Sequence, residues 1–106
     1  MKPSTVVDLG AWLRGLRQTR GKTLREVAAA AGMDPALLSK IECGNRLPTP
    51  AQTSALARGF GVSEPDMQAR RIAVDFVARY GRGEGPRKAL SYIRVAFEKH
   101  EAQHAR

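Results

Sequence analysis

The sequence predicts an all-α protein: five helices in one small domain, with a helical extension behind it. Three observations carry this. Apolar residues recur at intervals of three and four along the chain, with no strand-like alternation. Most of these stretches have Ser, Thr or Asp in front and Gly or Pro behind, the residues that start and stop helices. A chain of 106 residues with a single Cys makes one domain that buries a core without disulfide or metal staples.

The first helix is predicted over residues 4–20. Ser4 or Thr5 caps it, with Thr5-Val6-Val7-Asp8 resembling a capping box, and Val6, Leu9, Leu13 and Leu16 share one face. Gly21 stops it. Thr23 opens a short second helix with Glu26 three places on and Leu24, Val27, Ala28 and Ala31 as its apolar side. Gly32 then takes the sharp turn, because glycine enters the left-handed backbone region without steric cost. Asp34 as cap and Pro35 in the first helical position start a third helix that runs to about Glu42, with Leu38 and Ile41 inward. Residues 43–50 hold a Gly, an Asn and two Pro and form a loop carrying Arg46.

Thr49 or Pro50 opens a fourth helix whose apolar positions are Ala51, Leu56, Ala57 and Phe60. Gly61 closes it, and Val62 folds back over the core. A fifth helix spans about residues 65–80, with Ile72, Phe76, Val77 and Tyr80 on one face. Residues 81–86, with three Gly and a Pro, are expected to be a hinge. The last helix, about 87–104, sets Leu90, Ile93, Phe97 and His100 at spacings of 3, 4 and 3, a narrow coiled-coil-like seam. The domain boundary is placed after Asp66: residues 1–66 form the domain and 67–106 the extension.

Charge narrows the function. Eighteen Lys and Arg stand against ten Asp and Glu, a net charge of +8, which favours polyanions. Both parts are basic, with nine basic and six acidic residues through Asp66 and nine and four after it. Nucleic acid is the expected partner, not a membrane, since no run approaches the roughly 18 apolar residues that span a bilayer and no basic helix is rich in Trp or Phe. With one Cys and no apolar leader the chain reads as a soluble cytoplasmic protein of bacterial, plasmid or phage origin.

Two short helices joined by a glycine turn inside a basic domain have the geometry of a helix-turn-helix, whose second helix fits the major groove. Residues 9–67 resemble the phage repressor/Cro (XRE) family at Leu9-Gly10, Leu13-Arg14, Leu16-Arg17, Gly21, Thr23, Glu26-Val27-Ala28, Gly32-Met33, Leu38-Ser39-Lys40-Ile41-Glu42, Gly44, Arg46, Pro48, Leu56-Ala57 and Phe60-Gly61-Val62. The joint spacing of Ala28, Gly32 and Leu38 is the specific part of the signal. The resemblance implies a repressor-like DNA-binding regulator, not an enzyme, and no cofactor or metal.

By position, the resemblance puts base contacts at Pro35, Ala36, Leu37, Ser39 and Lys40. Pro35 and Ala36 offer only apolar contact, so Ser39 and Lys40 are the polar readers, Lys40 towards guanine. Phosphate contacts are expected from the amide end of the second helix at Thr23 and from Arg25, Asn45 and Arg46, with Arg14, Arg20 and Lys22 behind them. Leu24 stands where the family often has Gln, which removes one phosphate-facing amide. The resemblance also implies a partly buried ion pair between Arg17 and Glu42.

Two polar readers discriminate poorly alone, so a homodimer on a palindrome is expected. Phe76, Tyr80, Leu90, Ile93 and Phe97 are its candidate dimerisation residues. The alternative is an antitoxin-like or accessory protein that binds a partner protein through its C-terminal helices and regulates its own synthesis. His100-Glu101-x-x-His104 matches a zinc string but lacks a third ligand and a cleft. Cys43 reads as a spectator thiol, and Trp12 as core or interface.

Overall fold

The computed structural model describes residues 8–104, with side chains through Lys99. Among them are six helices and no strand: α1 (Leu9–Thr19), α2 (Leu24–Ala31), α3 (Pro35–Glu42), α4 (Pro50–Phe60), α5 (Glu64–Tyr80) and α6 (Glu84–His104). The chain divides into two units, one through Asp75 and one from Phe76 onward, the division falling within α5.

In the first unit, helix starts follow the capping chemistry. Thr23 and Thr49 each make a reciprocal box, with the Oγ of Thr23 accepting from the Glu26 amide and that of Thr49 from the Gln52 amide. The cap expected at Ser4 or Thr5, and the inward Val6, lie outside the described residues. Asp8 is the cap of α1, accepting from the Ala11 amide, so the helix begins at Leu9 and not at residue 4. Gly32 and Gly61 end α2 and α4 in the left-handed conformation, with φ of 65° and 68°.

Leu13, Leu38, Ile41, Leu56 and Met67 are sealed in the core with Leu9, Val27, Ala28, Ala31, Ala57 and Phe60. Each large side chain so buried contributes about 1.5–3 kcal/mol. α2 packs most extensively on α4, and Gly59 is why they come so close: a Cβ there would sit 3.2 Å from the Ala31 amide nitrogen.

One expectation about the core needs correction, and α5 adds contacts that its apolar face does not name. Ala51 is exposed, and the inward position of that turn belongs to Thr53, whose hydroxyl donates to the Thr49 carbonyl (2.8 Å) and so enters the core without an unpaired polar atom. On α5 the buried residue is Met67, while Ile72 is 59% exposed. Arg70 and Arg71 are half-buried: the Arg70 guanidinium lies 4.0 Å above the Trp12 ring, and Arg71 donates to the Pro48 carbonyl (2.7 Å).

In the second unit, the rings of Phe76 and Tyr80 meet at a tilt of 55° with centroids 5.1 Å apart. Gly81, with φ of 76°, ends α5. α6 starts at Glu84, three residues before the expected point, because Pro86 in a first turn has no hydrogen bond to lose. The break is therefore residues 81–83 and not 81–86.

Candidate nucleic-acid interface

α3 has two sides, and its sequence explains both. Leu38, Ile41 and Glu42 are buried, with Leu37 half-buried and packed on the core. Pro35, Ala36 and Lys40 are exposed on the other side, with Ser39 half-buried beside them. At 100° per residue Pro35, Ala36, Ser39, Lys40 and the capping Cys43 fall on one outward arc. Cys43 is exposed and free there. Leu37 is turned partly inward, which leaves it less surface to offer a base than its neighbours have.

What holds this face outward is the junction of α1 with the end of α3. Arg17 Nε donates to one oxygen of Glu42 at 2.8 Å and a terminal nitrogen to the other at 3.0 Å, a bidentate pair with side chains only 12% and 3% exposed. The other terminal nitrogen of Arg17 donates to the Lys22 carbonyl at 3.0 Å, so one guanidinium ties α1 to α3 and to the approach of α2. The bonds to Glu42 raise the Arg17 pKa above its ordinary value against the opposing effect of burial, so the cation is permanent. Beside the pair, a Cβ on Gly10 would lie 2.6 Å from the carbonyl oxygens of both Ile41 and Glu42. The helices touch there through backbone.

The candidate phosphate contacts divide. Arg25, Asn45 and Arg46 are exposed. Thr23 is exposed, but its amide donates to the Glu26 carboxylate (2.8 Å) and its hydroxyl accepts from the Glu26 amide (3.1 Å). Those bonds hold the Glu26 carboxyl below its usual pKa, so the start of α2 carries an anion. Arg20 is spoken for by the Phe60 carbonyl, a brace from α1 to the end of α4. Arg14 lines a shallow groove with Gln18, Cys43 and Gly44.

The roles of Gly10, Thr53, Arg70 and Arg71 were not foreseen from the sequence. Gly10 had a signal, since glycine inside a helix is unfavourable by about 1 kcal/mol and marks close approach. The two arginines had none, because a half-buried guanidinium reads as a solvated one. Among the described residues no group of three or more metal-ligating side chains occurs and no helix is long and apolar enough to cross a membrane. The side chains of His100 and His104 lie outside those described.

A two-helix unit with a glycine turn, its second helix anchored on one side and presenting the other, defines a helix-turn-helix protein. The helix-turn-helix domain family matches residues 8–70, more than half of the chain. Among solved structures, the clp gene regulator ClgR from C. glutamicum is 31% identical with a TM-score of 0.54, covering 67% of this chain and 92% of that one. Among curated proteins none matches. The chain belongs to the helix-turn-helix family, as an XRE-like DNA-binding transcription regulator.

Proposed function

We propose that the protein is a dimeric repressor that occupies a palindromic operator, with α3 in the major groove of each half-site. The observation that carries the reading is the outward arc of α3. All five of its residues are neutral or cationic, and they lie opposite a buried face that fixes the helix on α1. Lys40 and Ser39 supply the polar base contacts, Pro35 and Ala36 apolar contact such as to a thymine methyl, and Leu37 at most an edge contact. Arg25, Asn45 and Arg46 take phosphates, and at the start of α2 the amides of Leu24 and Arg25 serve in place of the engaged Thr23.

Dimerisation is assigned to Leu90, Ile93 and Phe97 of α6 with Phe76 and Tyr80 of α5. Leu90, Ile93, Phe97 and Tyr80 are 55%, 43%, 68% and 63% exposed, more apolar surface than one helical hairpin leaves in water without a partner. A two-fold pair then reads two half-sites about one helical turn (~34 Å) apart. Repression requires only that the operator be occluded.

Selection of duplexes from a random library at about physiological salt, followed by the mass of the winning complex, tests this. A palindrome held by two chains is expected. A winning site of one half only, held by one chain, overturns the dimer. Binding without any enriched sequence overturns operator recognition and leaves a generic polyanion binder whose C-terminal helices serve another protein.

A further inference from the structure

α6 carries a second exposed stripe that the dimer seam does not use. Lys88, Tyr92, Val95 and Lys99 follow at spacings of 4, 3 and 4, so they share one side of the helix, and at 100° per residue that side lies across from Leu90, Ile93 and Phe97. All four are exposed, Tyr92 at 75% more than any other large apolar side chain on the described surface. In the proposed dimer one partner helix covers one side of α6. The other stays in solvent.

From Lys88 onward its charged members are lysines, with Glu84 one turn before them on the same side. From Phe76 onward the chain has seven Lys and Arg against three Glu, and among the described residues Lys88 and Lys99 have no carboxylate partner, nor does Arg94, which lies on another side of the helix. Unpaired cations on a helix hold their charge ready for an outside anion. Tyr92 between them brings a neutral hydroxyl that can also donate to a phosphate oxygen.

We infer that the Lys88–Tyr92–Lys99 stripe is a second DNA-backbone surface, binding phosphates additional to those that the helix-turn-helix takes. This rests on the DNA-binding reading above. One quantity favours DNA over an acidic protein. Lys88 and Lys99 are separated by about 16 Å along the helix, a length over which duplex DNA presents about ten phosphate charges.

The test is the salt dependence of binding for wild type and K88Q/K99Q. The probes are the duplex enriched by selection, used either trimmed to its protected half-sites or extended by about one helical turn on each side. On the extended duplex the slope of log K against log salt is expected to be shallower in the variant by about 0.9 for each phosphate no longer neutralised, up to about 3.6 for a dimer. On the trimmed duplex the two proteins should coincide, and K88R/K99R should keep the wild-type slope on both. An unchanged slope on the extended duplex overturns the inference and leaves a solvated face or a protein-binding one. An equal change on both duplexes overturns the assignment to additional phosphates. Should wild type fail to prefer the enriched duplex over a scrambled one, operator recognition falls. A shallower variant slope on a scrambled extended duplex would still support the stripe.

Discussion

The junction of α1 with α3 rests on three residues that act in different ways. Glu42 and Arg17 form a buried bidentate pair, whose net contribution to stability is small because both ions left water, yet removing one partner strands the other. Arg17→Ala is expected to lower stability by about 3 kcal/mol, read as a fall in thermal midpoint of about 10 °C or more. The double variant R17M/E42L should recover much of that midpoint while binding the selected duplex less selectively. Recovery of both would show that the pair does not orient α3. Gly10 works by absence. A methyl group 2.6 Å from two carbonyl oxygens forces the helices apart, so Gly10→Ala should weaken specific DNA binding by at least about tenfold, read by titration, with helical content retained.

At the scale of elements, the helix starts were legible because their chemistry is local. Thr23 with Glu26, Asp34 with Pro35 and Thr49 with Pro50 each fix a boundary within a few neighbouring residues, and the structure has all three. The faces were less legible where burial depends on distant partners. Thr53 goes inside because its hydroxyl bonds one turn back, and Met67 because α5 meets the core at its start, which periodicity alone does not reveal. The capping box of α2 also carries a pH dependence. Since the folded pKa of Glu26 lies below its ordinary value, its contribution is complete at neutral pH and is lost as pH falls through the folded value. Glu26→Gln keeps the acceptor but does not titrate. Between about pH 5 and pH 3 its thermal midpoint should therefore fall less than that of wild type, and parallel falls would show that the box contributes no proton linkage.

For the whole molecule, the helix-turn-helix was legible down to single residues because glycine turn, caps and apolar anchors are all near one another in sequence. The tail was legible only as pattern: the seam of Leu90, Ile93 and Phe97 is visible at its spacing, but what covers it is set by another surface. If a second copy does, Ile93→Glu should give a monomeric mass by light scattering and lower affinity for the selected duplex by about a hundredfold or more, because the second half-site is no longer tethered. A variant that stays dimeric would remove the seam from the interface.

The outward arc of α3 is the part on which operator recognition depends. It is tested most directly by binding Lys40→Ala and Arg46→Ala to the selected duplex and to a scrambled one at several salt concentrations. Lys40→Ala is expected to lose about 1–3 kcal/mol on the selected duplex alone and to accept another base at one position of each half-site, whereas Arg46→Ala should weaken both duplexes alike and flatten the salt slope by about one per protomer. Equal losses for Lys40→Ala on both duplexes, with its base preference intact, would mean that α3 does not read the sequence.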